Sequence, residues 1–192
     1  MESLTKDFFM EATENCPVIP EIINDEWLGA ASGIRLRDCI YCLWRYLHHS
    51  GDCRESKSSR KDGDRTYGFN RRTFLKGNQC RFLKKYTKVD GIISMKPAMI
   101  KRANDVGLFT IQRFYLMDRF TYANIEKHIK NCNPDIVEFL PAGLSKVMSF
   151  LIEKIDRPVV ASGLTQDKDD VMGALKAGAI AVATSNRRVW DC

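Results

Sequence analysis

Two short strings in this chain could hold an anion: Ser162-Gly163-Leu164 and Thr184-Ser185-Asn186. Gly163 has no Cβ, so its backbone can approach a bound anion closely. The hydroxyls of Thr184 and Ser185 add donors. The same residue types also cap helices, so both strings have a purely structural use as well. A second feature is charge placed inside apolar runs. Glu138 interrupts Ile136, Val137, Phe139 and Leu140, and Arg113 closes a run beside Gln112. A charge in a buried strand needs a partner or a ligand. Arg113 and Glu138 either meet ligand groups or form an internal ion pair with no ligand. Lys96 lies within reach of the same end of the molecule, although an exposed lysine is usually only solvated.

Other chemistry is weakly supported. Cys39-x-x-Cys42, followed by His48, His49 and Cys53, imitates a zinc site. No second well-spaced pair closes four ligands, so no metal is expected. No nucleophile–base pair is visible, and His128 falls on a predicted helix. Neither a phosphate-binding Walker loop nor a dinucleotide fingerprint occurs. We therefore expect no catalytic residues and no cofactor. The remaining Cys16, Cys132 and Cys192 are scattered, which fits a reducing compartment without disulfides.

The 192 residues are 44% hydrophobic and 28% charged, an ordinary balance for one globular domain. No run of 18 apolar residues occurs and no basic-then-apolar leader opens the chain, so a cytoplasmic protein without membrane contact is expected. The net charge of +6 suggests an anionic partner. It is unevenly placed. Residues 31–80 hold eleven basic and five acidic residues, and the rest of the chain is neutral.

From residue 89 onward, short apolar runs alternate with amphipathic segments. Strands are predicted at Val89–Met95, Phe109–Phe114, Asp135–Pro141, Pro158–Leu164 and Ile180–Ser185. Helices are predicted at Pro97–Val106, Asp118–Asn131 and Leu144–Ile155, and from a cap at Asp167 to Ala177. Gly107 and Gly178 are the expected helix stops. Cys16–Ile22 resembles a first strand. This repeat specifies an α/β fold whose parallel sheet is covered on both faces. Two more βα units in the 65-residue gap after the first strand would complete a (β/α)8 TIM-barrel-like fold. The two candidate anion strings would then follow strands seven and eight, where such barrels commonly hold phosphate.

The stretch from Tyr86 to Trp190 resembles the glycerol-3-phosphate-responsive antiterminator family. The resemblance lies in VDGIISMK (89–96), GLFTIQRFYLMD (107–118), PDIVEFLP (134–141), RPVVASGL (157–164), DVMGALKAGAIAVATSN (170–186) and Trp190. CPVIPEI, followed by Asp25-Glu26-Trp27, fits the family's start. Pro141–Lys146 (PAGLSK) departs from the family, which tends to place Gly directly after Pro and a second Pro before Lys. Residues 31–80 do not resemble the family. Reading their codons one nucleotide forward permits IVFGDI from YCLWRY (41–46) and VIVHMDLIEGL from GDRTYGFNRRT (63–73), both family-like, with normal register resuming near Arg81. We therefore read the window as out of frame, with strands 2 and 3 missing or disordered in this chain. A true basic insertion forming a disordered loop is the other reading.

The resemblance implies a regulatory protein, not an enzyme. It would sense the effector glycerol-3-phosphate, bind the leader mRNA of glycerol-utilisation genes and prevent transcription termination. Arg113 would then meet a phosphate and Glu138 would accept glycerol hydroxyls. A homo-oligomer is allowed for alongside these partners. The alternatives are a phosphate-binding barrel enzyme, such as an isomerase or aldolase, and a nonfunctional frameshifted product.

Overall fold

All six strands expected from the sequence form, and they are parallel. The structure, a computed structural model, describes residues 5–21, 79–86 and 91–190. The strands are β1 (Val18–Pro20), β2 (Gly91–Ser94), β3 (Phe109–Tyr115), β4 (Ile136–Leu140), β5 (Val159–Ser162) and β6 (Ala181–Thr184). They lie in the order β1-β6-β5-β4-β3-β2. The helices are α1 (Lys6–Asn15), α2 (Gln79–Tyr86), α3 (Pro97–Asp105), α4 (Arg119–Cys132), α5 (Ser145–Ile152) and α6 (Lys168–Lys176). A 3-10 turn, Arg187–Val189, follows β6. Sheet and helices form the parallel half-barrel of a TIM-barrel-like α/β fold.

Local chemistry sets the helix boundaries. The Asp118 carboxylate accepts from Thr121 N–H at 2.7 Å and opens α4. Asp167 does the same for α6, accepting from Asp170 N–H at 3.0 Å. Pro97 occupies the first turn of α3, where its missing N–H has no cost. Asn133 ends α4 in the left-handed region, and its N–H donates to Ile129 O at 2.8 Å.

Alternation along the strands divides the interior. Ile19, Phe109, Ile111, Ile136, Val160, Ala181 and Ala183 belong to one buried cluster. Val18, Phe114, Val137, Phe139, Val159, Ala161 and Val182 belong to the other, with Ile125, Ile129, Met148, Leu151, Val171 and Ala174 from the helices. The near-continuous apolar strands of the sequence follow, because both faces are covered. The α1 helix was not expected. It opens with Thr5, which accepts from Phe8 N–H, and it places Phe9 in a stack with Phe109 at 5.4 Å. At the same end of the sheet, Asp135 accepts from Thr110 N–H at 2.8 Å, and Asn104 donates to Cys132 O and Asn133 O.

Among the described residues β1 and β2 are the two outer strands of the sheet. The expectation of irregular structure over 31–80 falls almost entirely outside the described residues. It fails at its last two positions. Gln79 and Cys80 stand in the first turn of α2, with Cys80 buried against the α3 segment and its thiol directed at Met99 O. The CxxC and His48–His49 candidates also lie outside the described residues.

Candidate functional site

The C-terminal ends of parallel strands converge on one side of the sheet, and the charged side chains gather there. Arg113 on β3 and Glu138 on β4 are register partners, so their side chains leave the sheet on the same face. They form a two-point fork. Arg113 Nε donates to Glu138 Oε2 at 2.5 Å, and Nη2 donates to Oε1 at 2.9 Å. Glu138 is 1% exposed and Arg113 14%. Burial works against the Arg113 charge, but the hydrogen bonds and charge of Glu138, then the charge of Glu21, hold the guanidinium above its ordinary value. Of the two uses foreseen for this pair, the internal ion pair is formed.

A second carboxylate completes the cluster. Glu21 follows β1, and its N–H donates to Thr184 O at 2.8 Å. Its Oε1 accepts from the buried Ser162 hydroxyl on β5 at 2.9 Å. The carboxyl thus crosses β6, where Ala183, level with Ser162, offers only a methyl group. Burial pushes the Glu21 carboxyl up; the Ser162 hydrogen bond opposes this, the Glu138 charge adds to it and the Arg113 charge opposes it. Two carboxylates therefore share one guanidinium. Glu21 was not among the candidate residues legible in the sequence. Its signal was a carboxylate next to last in the predicted strand Cys16–Ile22, at the same strand end as Ser162.

Beside this cluster a cleft of about 410 Å³ opens between the loops after β5 and β6. Gly163, Leu164, Thr165, Gln166, Thr184, Ser185, Asn186 and Arg188 line it. Gly163 and Leu164 both have positive φ, +75° and +58°, which turns the backbone over the cleft. Leu164 is 76% exposed, so its unfavourable conformation is not offset by burial. Thr184 and Asn186 support the loops. Thr184 Oγ1 accepts from Asn186 N–H, and Thr184 O accepts from Trp190 Nε1 at 2.9 Å. Asn186 Nδ2 donates to Thr165 O and to Gln166 O, the latter at 2.7 Å, and ties the two loops together. Ser185 is exposed on the rim.

The donors that remain for an anion are unevenly placed. Thr165 is buried, and its hydroxyl oxygen has no hydrogen-bond partner. Arg188 is exposed on the β6 side. The N-terminus of α6 carries Asp167, Asp169 and Asp170, and Asp170 already accepts from Gln166 N–H at 2.8 Å. Carboxylates thus occupy the helix terminus that phosphate often uses. Neither Thr165 nor Arg188 was a sequence-level candidate; each stands just beyond an anion string.

The other candidates lie apart. Gln112 is fully buried on the opposite face of β3 from Arg113. There its amide donates to Met95 O at 3.0 Å and accepts from the Cys132 thiol. Lys96 is exposed at the start of α3, with its N–H on Ser94 Oγ. His128 stacks on Phe114 at 6.2 Å, on the helix-covered face of β3 opposite Arg113. No group of metal-binding side chains occurs among the described residues. No helix among them is long and apolar enough to cross a membrane.

The molecule is similar to several known proteins. A family model described as glycerol-3-phosphate responsive antiterminator matches residues 73–190. The match begins eight residues inside the basic window, earlier than the resumption at Arg81 read from the sequence. The uncharacterized protein YgcP of Escherichia coli K12 is 42% identical over 110 residues, 57% of this chain and 58% of YgcP. The crystal structure of the glycerol uptake operon antiterminator regulatory protein from Listeria monocytogenes is 31% identical. It aligns with a TM-score of 0.58 over 60% of this chain and 63% of that one. A glycerol uptake operon antiterminator-related protein from Thermotoga maritima is 29% identical, with a TM-score of 0.49 over 55% of this chain and 59% of that one. The chain thus spans less than two thirds of the length of each of these relatives. With the matching model covering more than half of its residues, the chain belongs to the glycerol-3-phosphate responsive antiterminator family.

Proposed function

We propose that this chain is a cytoplasmic sensor of glycerol-3-phosphate that binds leader mRNA of glycerol-utilisation genes and prevents transcription termination. The observation that carries the reading is the cleft between the β5 and β6 loops, together with the family match. Its backbone is turned over by Gly163 and Leu164, its wall holds the unpartnered Thr165 hydroxyl, and its rim carries Arg188. A phosphate ester there would receive the Thr165 hydroxyl as donor and Arg188 as counter-charge. The polyol end would then lie toward Glu138 and Arg113.

Binding, and not turnover, is the activity this site supports. Glu138, the buried carboxylate at the strand ends, is committed to Arg113. Ligand control of RNA binding would be linkage: the effector favours the RNA-competent state only by its greater affinity for that state. Filter binding of leader RNA to the full chain, with and without glycerol-3-phosphate, is the test. The effector is expected to tighten RNA binding, and equal affinity in both conditions would refute the reading. Arg188→Gln is expected to weaken glycerol-3-phosphate binding about tenfold in calorimetric titration.

A further inference from the structure

Three charges and one hydroxyl stand on the inner face of four strands: Glu21 after β1, Ser162 on β5, Glu138 on β4 and Arg113 on β3. Glu138 takes two of the Arg113 donor groups. Glu21 is the second carboxylate beside this one guanidinium. Its position is fixed from two directions, by its N–H on Thr184 O and by Ser162 on its Oε1. Thr184 and Gly163, the neighbour of Ser162, both line the cleft. Glu21 is thus tied to Thr184, which lines the cleft, and to Ser162, one residue before the lining Gly163. Ser162 donates to one carboxylate oxygen, and a carboxylate accepts several hydrogen bonds.

We propose that Glu21 is a specificity-determining residue of the ligand site, where it accepts hydrogen bonds from the hydroxyl groups of a phosphorylated polyol. The inference rests on the phosphate reading of the β5–β6 cleft. It fixes the direction of the ligand. A phosphate dianion lies toward Arg188 and Thr165, away from the half-buried Glu21 carboxyl. The carbon chain then runs across Ala183 toward Glu21, and its hydroxyls meet an acceptor that an ester without hydroxyls leaves unused. A site built to take hydroxyl donors rejects the analogue that lacks them, because its acceptors lose their partners.

The test is calorimetric titration of the full chain and its Glu21→Gln and Glu21→Ala variants with glycerol-3-phosphate, 1-propyl phosphate and phosphoethanolamine. The natural chain is expected to favour glycerol-3-phosphate over propyl phosphate by about tenfold or more, and each variant to remove most of that preference. Far-UV circular dichroism checks folding, and the near-isosteric glutamine decides the matter if the alanine variant does not fold. If both esters bind and the preference is unchanged in Glu21→Gln, the proposal is overturned while the phosphate site stands. If neither ester binds the natural chain, the phosphate site itself is wrong and the proposal falls with it. Tighter binding of phosphoethanolamine than of glycerol-3-phosphate would assign Glu21 to an ammonium group and overturn the hydroxyl role.

Discussion

Replacing Arg113 by methionine isolates the electrostatics of the site. Glu138 is 1% exposed and both its oxygens are held by Arg113, at 2.5 and 2.9 Å. Arg113→Met leaves that carboxylate buried without its cation. Breaking a buried pair from one side costs about 3–5 kcal/mol, a large part of the stability of a single domain. Replacing both partners by apolar side chains of similar length removes the stranded charge. Arg113→Met combined with Glu138→Met should therefore be more stable than Arg113→Met alone, with a coupling of about 2 kcal/mol or more. The single substitution is also pH-dependent. Burial holds the Glu21 carboxyl above its ordinary range, and Arg113 opposes that rise. Without Arg113 the carboxyl rises further. A carboxyl raised in the folded protein contributes its full stability below the unfolded value and loses it as pH climbs through the folded value. Arg113→Met should therefore cost more at about pH 8 than at about pH 5. Urea unfolding followed by circular dichroism at both values measures the two single variants, Arg113→Met and Glu138→Met, and the double variant. A single-variant cost below about 1 kcal/mol, or a double variant that equals the sum of its singles, would refute the stranded-charge argument.

Two further outcomes concern the loops around the cleft. Gly163→Ala should cost about 1–2 kcal/mol in thermal or urea unfolding, because its φ is +75° and the new Cβ would meet Leu140 Cδ2 at 3.2 Å. The same substitution should weaken glycerol-3-phosphate binding, since it displaces the backbone over the cleft. Asp167→Ala removes the cap that accepts from Asp170 N–H and should cost about 1 kcal/mol with no change in the dependence on denaturant.

Much of the fold was legible because its signals are local. The apolar runs around Ile136, Val159 and Ala181 each became strands, and Asp118 and Asp167 each became caps through contacts three residues away. The α1 helix was missed although its cap, Thr5, and its buried Phe9 and Ala12 stand at helical spacing. The segment stands ahead of the first predicted strand, outside the βα repeat that starts at residue 89, and packing of Phe9 on Phe109 settles its place. Arg113 and Glu138 were visible as charges in apolar strands. Whether they faced a ligand or each other depended on register, which only the sheet fixes.

The net charge and the ordered family strings belong to the sequence alone. So do the βα repeat and the residue types at the strand ends, because composition and periodicity are properties of the chain. The charge does not locate the site, since its excess lies wholly in residues 31–80. Tertiary structure alone decided which distant residues meet. It put Gln112 on the face opposite Arg113, because successive strand residues point to opposite sides. It closed the Arg113–Glu138 fork across 25 positions of sequence, and it carried Glu21 to Ser162 across 141. A contact over that separation leaves no local pattern, since parallel strands far apart in sequence become neighbours only when the sheet assembles.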